Sequence, residues 1–450
     1  MKTKNFLPWF VLVFLLASCK PEAVTTVPVT QNLTSTQPPM EIPTITPLPT
    51  ANLGLPTLTP LPTAIPYPTA SVVQANAVAF IERDSIYNFS LWVVNGDGSG
   101  EKKLSDITRL DSLETDLMKW SPNGEWISYR SEGDLWMVSR DGLLKRILLS
   151  FPDEDIGKLY TYVWSPDSSK IAYIQKATYG PVAQITVGML DLMAEKAFEI
   201  SSHQAPDPMP ISWSPDGKYI LFAKDFSYSL YEVATGKIAK EVKPNGMGCW
   251  VGWNAWSPNS KWFFDTQHGN GRYFRQWICV SGLDGSNREI YVEGTVSTPV
   301  WDKMGNLIYF VARKTNPDSD PNLKIDERLM RYDVRTQKTE RLLSLREIQT
   351  YGYIGQVSIS PNGSTLVIRT QDSENQISYI LIDLKTFSLK KFTHETFCTW
   401  SADSENFICS QESNGYSAFH NLNIETGVTN IFSGEHTVEY WAISPVATSP

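Results

Sequence analysis

Residues 210–242 read PISWSPDGKYILFAKDFSYSLYEVATGKIAKEV, and this stretch decides the fold. Its SPDG phrase, at 214–217, predicts a tight turn, because proline fixes the backbone at the second position and glycine permits a positive φ at the end. Four short β-rich segments surround this turn and a second turn at ATGK. They cover residues 210–213, 219–223, 229–233 and 238–242. The stretch therefore predicts a four-stranded antiparallel meander.

The same phrase recurs along the chain with few changes. Its copies are WSPNG at 120, WSPDS at 164, WSPDG at 213, WSPNS at 256, WDKMG at 301, ISPNG at 359, WSADS at 400 and ISP at 443. Successive copies are 44, 49, 43, 45, 58, 41 and 43 residues apart. A period of this length with four strands per repeat is typical of a β-propeller. We predict an all-β protein built from four-stranded antiparallel blades.

The two ends of the repeat region predict how the ring closes. Residues 77–82, 90–100 and 101–105 match strands two, three and four of a repeat, with no turn phrase before them. Residues 437–445 match strand one and its turn. Joined, the two ends complete one more blade, and this closure removes the open sheet edges. We expect eight blades; seven is the alternative if the unit at 301 is irregular.

The repeat resembles that of TolB-type propellers, which are WD-repeat-like and are also similar to the N-terminal propellers of prolyl-oligopeptidase-type peptidases. The resemblance rests on WSPDG, the β-rich strand after it and the DG turn before strand four, and it covers residues 76–446. It implies a propeller fold. It implies little about function, because such repeats serve partner binding, substrate gating and catalysis in different proteins.

The N-terminus has the pattern of a lipoprotein signal peptide. Lys2 and Lys4 precede an apolar run at 6–16 that is short for a membrane span, and small residues follow it. The sequence LASC, ending at Cys19, resembles a bacterial lipobox, which implies removal of residues 1–18 and lipid attachment to Cys19. The alternative is an ordinary signal peptide or an uncleaved signal anchor. We therefore expect localisation in the cell envelope, lipid-anchored on the extracytoplasmic side of a bacterial membrane.

Composition divides the rest of the chain into two parts. Residues 19–73 are rich in proline and threonine and nearly uncharged, which favours an extended stalk or tether without a core. Residues 74–450 form the predicted propeller. The formal net charge is −9, with lysine and arginine scattered, so we do not expect a nucleic-acid partner.

Sequence motifs for catalysis, metals and cofactors are missing. There is no G-x-S-x-G elbow, and the five histidines lie in different repeats. Asp318, Asp320 and Asp326 lie in an insertion whose spacing matches no calcium loop. The aspartates and asparagines of the repeated turn are better explained by turn hydrogen bonds, and the tryptophans by packing between blades. We predict no catalytic residue, no metal site and no cofactor.

Aromatic residues are concentrated around the fourth unit. Their positions suggest ligand or partner contacts on loops or on the outward face, where they could stack on a sugar or insert into a protein. The candidates are Trp250, Trp253, Tyr273, Phe274 and Trp277. The alternative is that they fill a larger contact between blades.

Four cysteines remain besides Cys19, an even number for an oxidising location. If Ser401 and Glu405 flank the turn of their hairpin, Cys398 pairs with Ile408, and the sulfurs of Cys398 and Cys409 point to opposite faces. This register argues against a bond between them in the absence of a β-bulge. Cys249 and Cys279, in one blade, form the predicted disulfide.

Together these features predict a monomeric, membrane-anchored binding or scaffold module that presents its propeller to a protein or glycan. The alternative is an extracytoplasmic glycan lyase or hydrolase with an active site at the channel mouth, assembled from several blades.

Overall fold

Strands form directly before and after each copy of the turn phrase. The computed structural model describes residues 76–84, 88–110, 117–151, 158–179, 182–205, 210–224, 227–243, 254–268, 275–293, 295–314, 326–345, 353–371, 376–393, 398–413, 416–434 and 436–444. Within these ranges the chain forms 33 strands, which confirms the all-β prediction. The same ranges contain no helix that is long and apolar enough to cross a membrane.

Eight antiparallel sheets follow one another along the chain, and we number them as blades from the turn phrase at 120. Blade 1 contains β4 (Met118–Trp120), β5 (Trp126–Ser131), β6 (Asp134–Ser139) and β7 (Lys145–Leu149). Blade 2 contains β8 (Lys158–Trp164), β9 (Lys170–Tyr179), β10 (Val182–Asp191) and β11 (Lys196–Ala205). Blade 3 contains β12 (Ile211–Trp213), β13 (Tyr219–Lys224), β14 (Ser227–Glu232) and β15 (Lys237–Val242). Blade 4 contains β16 (Asn254–Trp256), β17 (Trp262–His268), β18 (Arg275–Gly282) and β19 (Asn287–Glu293).

The other four blades have the same order. Blade 5 contains β20 (Thr295–Val296) and β21 (Val300–Trp301), which both pair with β22 (Leu307–Lys314), then β23 (Asp326–Asp333) and β24 (Lys338–Ser344). Blade 6 contains β25 (Tyr353–Ile359), β26 (Thr365–Gln371), β27 (Ile377–Asp383) and β28 (Leu389–Thr393). Blade 7 contains β29 (Cys398–Trp400), β30 (Asn406–Ser413), β31 (Tyr416–Asn423) and β32 (Thr429–Ile431). Blade 8 contains β33 (Val438–Ile443), β1 (Val78–Arg83), β2 (Phe89–Val94) and β3 (Lys102–Ile107).

The unit at 301 forms a complete blade, although its first strand is divided into β20 and β21, so eight rather than seven blades form the propeller. Asp302 takes the place of the turn serine there. Its amide donates to the carbonyl of Leu307 at 2.8 Å, and its Oδ1 accepts from the amide of Leu307 at 2.7 Å. A carboxylate therefore makes the same pair of contacts as a serine hydroxyl.

Hydrophobic side chains are buried between blades rather than within one blade. The described core divides into eight clusters, and each of them joins two neighbouring blades. The turn-phrase tryptophans lie in these seams, as predicted. The indole of Trp120 donates to the carbonyl of Ala442 at 3.1 Å, and that of Trp213 donates to Val163 at 3.2 Å. Since every blade shares its core with both neighbours, the ring is stabilised as a whole.

Blade 8 closes the ring with strands from both ends of the repeat region. Strand β33 pairs antiparallel with β1, with Ile443 opposite Val78. The Ser444 amide donates to the carbonyl of Ala77 at 2.8 Å, and the Ala77 amide donates to Ser444 Oγ at 3.0 Å. Ser121 and Trp126 exchange the same two bonds across the turn of blade 1. The closure thus repeats the turn contacts between two ends of the chain.

Basic side chains on strand four link several blades to the next one. Each donates to a backbone carbonyl just after strand three of the following blade. The bonds are Lys102 to Asp141 at 2.7 Å, Lys240 to Leu283 at 2.8 Å, Arg288 to Val334 at 3.0 Å and Lys390 to Ile424 at 2.8 Å. These side chains therefore link neighbouring blades by hydrogen bonds, and they also place positive charge on the outer edge strand of each sheet.

Candidate functional site

The connections between strands define two rims of the ring. In an antiparallel meander, the turns from strand one to two and from strand three to four lie at one rim, which we call the turn rim. The hairpins from strand two to three and the links to the next blade lie at the opposite rim, the connection rim.

The repeated turn is built on a serine and an acidic or amide side chain. Ser121 Oγ donates to Asn123 Oδ1 at 2.6 Å and accepts from the amide of Trp126 at 3.0 Å. In blade 3, Ser214 does the same with Asp216 at 2.7 Å and Tyr219 at 2.9 Å. The oxygens of this position are therefore used to hold the turn, as predicted, and do not form a ligand array.

The electrostatics of these turns fit that structural role. Burial raises the pKa of Asp167, but hydrogen bonds from Ser165 and Ser169 outweigh it and hold the pKa below its ordinary value. The pKa of Asp216 is likewise lowered, because the bond from Ser214 and contacts with Lys218 outweigh the effect of burial. Both carboxylates are thus kept ionised by the turns they stabilise.

Some turns end in serine where others end in glycine, and the serines link neighbouring blades. Ser168, Ser260 and Ser404 have φ values of 61°, 57° and 66°, a region in which glycine is more usual. Each Oγ accepts a hydrogen bond from an amide in the turn of the preceding blade. The donors are Asn123 at 3.0 Å, Asp216 at 2.9 Å and Asn362 at 3.0 Å, respectively. This contact accounts for a side chain at a position of unfavourable backbone geometry.

The partly exposed aromatic pair of blade 4 is the candidate binding site. Trp277 on β18 lies directly opposite Tyr291 on β19, with ring centroids 5.8 Å apart in a T-shaped arrangement. Tyr291 is 53% exposed and Trp277 is half-buried. Glu289 lies two residues from Tyr291, on the same face of the sheet and exposed. The pair offers aromatic surface beside a carboxylate, suited to stacking and hydrogen bonding with a ligand.

The other predicted aromatic contacts have separate outcomes. Trp250, Trp253, Tyr273 and Phe274 lie outside the described residues. Tyr291 was not among the predicted residues. Its position in NREIYVE, alternating with the buried Ile290 and Val292, is the signal that could have revealed it.

Two further tryptophans of this unit have structural roles. Trp256 packs against Phe263 at 5.5 Å and donates to Ser212 Oγ at 3.1 Å. Trp262 lies 4.8 Å from the Arg288 guanidinium in a cation–π contact. These contacts agree with the alternative that part of the aromatic cluster fills the seams between blades.

The prediction that Cys398 and Cys409 are not bonded is wrong. They form a disulfide, with Cα atoms 4.1 Å apart, and lie directly opposite each other on β29 and β30. The predicted register is one residue out, because the turn is longer than assumed. Ser401 pairs with Asn406 rather than Glu405, and Ser404 takes a left-handed conformation between them. The extra residue brings both sulfurs to the same face.

The other cysteine predictions lie largely outside the described ranges. Cys279 is disulfide-bonded and 8% exposed. Its predicted partner Cys249 lies outside the described residues, as does Cys19, the predicted site of lipid attachment. The pairing of Cys249 with Cys279 stays a prediction.

Buried charges of the described residues have protein partners. Arg130 donates to the carbonyl of Leu159 at 2.6 Å, and Arg313 pairs with Glu327 at 3.1 Å. Within the described ranges, no group of three or more histidine, cysteine, aspartate or glutamate side chains could hold a metal ion. Asp318 and Asp320 of the fifth unit lie outside those ranges.

The fold defines the chain as an eight-bladed β-propeller closed by its terminal strands. No protein-family model and no curated protein matches the chain. Several solved structures match the chain. The structure of dihydro-heme d1 dehydrogenase NirN in complex with DHE is 12% identical in sequence to this chain, with a TM-score of 0.55. The match covers 86% of this chain and 78% of the NirN chain. A eukaryotic initiation factor has 12% identity, a TM-score of 0.52 and coverage of 83% and 98%.

TolB from Acinetobacter baumannii also matches, with 12% identity, coverage of 82% of each chain and a TM-score of 0.37. Likeness at such low identity shows the fold alone, and the score for TolB is too low to bear on the type of repeat. The TolB-like nature of the repeat therefore stays a prediction, whereas the propeller is established.

Proposed function

We propose that this protein is an extracytoplasmic binding module, anchored by lipid to a bacterial membrane, that presents its propeller to a glycan or protein partner. The observation that carries the proposal is the Trp277–Tyr291 pair. An aromatic residue left 53% exposed on a strand whose neighbours are buried is available to a partner. The anchor and the stalk rest on the sequence of residues 1–73.

The geometry of the pair suits ligand binding for two reasons. The rings are fixed by direct cross-strand pairing, so little side-chain freedom is lost when a ligand binds. The two rings are held at 60° to each other, and the exposed tyrosine adds a hydroxyl group to the aromatic surface. Sugar rings and apolar protein side chains both fit such a surface.

The test is binding of the purified full-length protein to a glycan array and to envelope extract, in parallel with the Trp277→Ala/Tyr291→Ala double variant. We expect retention of one glycan class or one protein, with affinity reduced at least about tenfold in the double variant, as for the loss of an aromatic hot spot. Tyr416→Ala is the matched control, because Tyr416 is 50% exposed on blade 7. Equal binding by the wild type and the double variant would overturn the proposed site.

The proposed anchor is tested separately. Cells that express the wild type and Cys19→Ala are labelled with tritiated palmitate, and membrane and soluble fractions are compared. We expect the label and membrane retention to be lost in the variant, because stable attachment requires acyl chains. Equal labelling of both proteins would contradict lipid attachment at Cys19, whatever the outcome of the binding experiment.

A further inference from the structure

His436 lies in blade 8 between two carboxylates. Its Nδ1 is 3.1 Å from Glu82 Oε1, and its Nε2 is 3.1 Å from Glu101 Oε1. The residue is 7% exposed. Its ring packs against Phe80, with centroids 4.6 Å apart, and against Trp92 at 5.5 Å. Both ring nitrogens therefore face an acceptor within a largely buried, aromatic environment.

The number of protons on this group follows from hydrogen-bond chemistry. A neutral imidazole has one N–H donor and one lone pair, whereas an imidazolium has two donors. With both carboxylates ionised, two contacts of 3.1 Å require two donors. A neutral ring would place a nitrogen lone pair against a carboxylate oxygen in a site with little water, which is unfavourable. Aromatic ring faces also attract a cation.

The group also lies where the ring closes. His436 comes two residues before β33, and its backbone exchanges hydrogen bonds of 2.9 and 2.6 Å with Ser417 of blade 7. Glu82 lies on β1, which pairs with β33, and Glu101 directly precedes β3. Glu101 also accepts from the Gly434 amide at 3.1 Å. His436 thus connects blade 7, through its backbone, with β1 and the start of β3 in blade 8, through its imidazole.

Other charged groups on the elements packed around His436 have partners of their own. Arg83 of β1 pairs with Glu439 of β33 at 2.7 Å. Lys103 of β3 pairs with Asp106 at 2.6 Å and Asp84 at 3.5 Å. Lys102 of β3 donates to the carbonyl of Asp141 at 2.7 Å. The remaining titratable side chains on these elements are His420, fully buried on β31, with Tyr416 of β31 and Tyr440 of β33. The two glutamates are the acidic groups in contact with the imidazole.

We propose that His436 is a proton-dependent latch of the propeller: as an imidazolium it joins Glu82 and Glu101 and stabilises the closed ring, and loss of its second proton weakens the closure. The stabilisation belongs to the protonated form. It is therefore lost when the ring releases its second proton. Blade 8 then opens more readily than the covalently continuous blades.

The first experiment measures the protonation state directly. In the full-length protein labelled with ¹⁵N-histidine, His436 is assigned by comparison with His436→Gln. We expect both ring nitrogens to show the chemical shifts of protonated nitrogen at about pH 6 and those of a neutral tautomer at about pH 8.5. A neutral tautomer at both pH values, in a folded protein, would overturn the proposal.

The second experiment measures the consequence for stability. We expect the difference in melting temperature between about pH 6 and about pH 8.5 to be larger in the wild type than in His436→Gln by about 2 °C or more. Glu101→Gln is the milder variant, because Glu101 has a side chain that is 29% exposed, and we expect the same loss of pH dependence. His203→Gln, in blade 2, is the matched control and should behave like the wild type. Equal pH dependence in all four proteins would contradict the latch.

Discussion

At the scale of single residues, the turn serines show how one side chain can offset an unfavourable backbone conformation. Ser260 has a φ of 57°, which glycine would adopt at less cost, but its Oγ accepts a hydrogen bond at 2.9 Å from the amide of Asp216 in the turn of the preceding blade. Glycine would remove the backbone cost together with the hydrogen bond. Alanine would lose the hydrogen bond and keep the backbone cost. The two substitutions therefore separate the two contributions.

We predict that Ser260→Ala lowers the free energy of unfolding by about 1–3 kcal/mol, and that Ser260→Gly lowers it by less. Urea denaturation of both variants beside the wild type measures the difference. A glycine variant less stable than the alanine variant would show that the hydroxyl contact is not what balances the backbone geometry.

The acidic residues of the turn should make the stability of the fold depend on pH. The lowered pKa of Asp216 means that its ionised form contributes stability above the pKa of the unfolded chain, and that this contribution is lost as the pH falls through the lower pKa of the folded state. Asparagine occupies the same position at 123, 259 and 362 and does not titrate. We expect Asp216→Asn to change stability little at pH near 7 and to reduce its loss on acidification. Thermal unfolding between about pH 3 and 7 measures it; an unchanged acid profile would contradict the role of this carboxylate.

At the scale of the secondary-structure element, the hairpin of blade 7 shows that the length of a turn sets the register of its strands and therefore which cysteines pair. The Cys398–Cys409 bond joins β29 to β30, eleven residues apart in sequence. Closing a short loop in the unfolded chain is expected to stabilise the fold by roughly 2–3 kcal/mol. We predict a loss of that size in the Cys398→Ala/Cys409→Ala variant.

Peptide mapping without reduction tests the pairing first, and urea denaturation then measures the stability. A peptide that joins residues 398 and 409 is expected in the wild type. Cys398→Ala alone is a useful comparison, because it breaks the bond and leaves the fully buried Cys409 as a thiol. Free thiols at both positions in the oxidised protein would contradict the observed register.

Most of the fold could be predicted from the sequence because the same pattern of strands and turns occurs in every repeat. Trp120, Trp164 and Trp213 recur at one place in the blade, so a single interpretation explains all of them. The cysteine pairing failed where one backbone detail, the left-handed Ser404, changed the register. The His436 contacts could not be predicted, because Glu82 and Glu101 lie 354 and 335 residues away in sequence and meet His436 only when the ring closes.

At the scale of the whole molecule, the eight shared cores make every blade depend on its neighbours, and blade 8 is the one held by chain ends. Ser444 and Ala77 there repeat the contacts of Ser121 and Trp126. The hydrogen bonds are alike, but in blade 1 the covalent turn also keeps the two strands together. In blade 8, only non-covalent contacts do so.

The same substitution should therefore have different consequences at the two sites. Ser121→Ala and Ser444→Ala each leave a buried amide without its acceptor, and we expect each to lower the free energy of unfolding by about 1–3 kcal/mol. Hydrogen exchange distinguishes them. We expect Ser444→Ala to speed exchange along both β1 and β33, because local opening separates the terminal strands, whereas Ser121→Ala affects only amides near its own turn. If exchange changes only near the substituted residue in both variants, β1 and β33 stay paired without the Ser444 hydrogen bond. The hydrophobic contacts between blades, rather than this hydrogen bond, would then keep the ring closed.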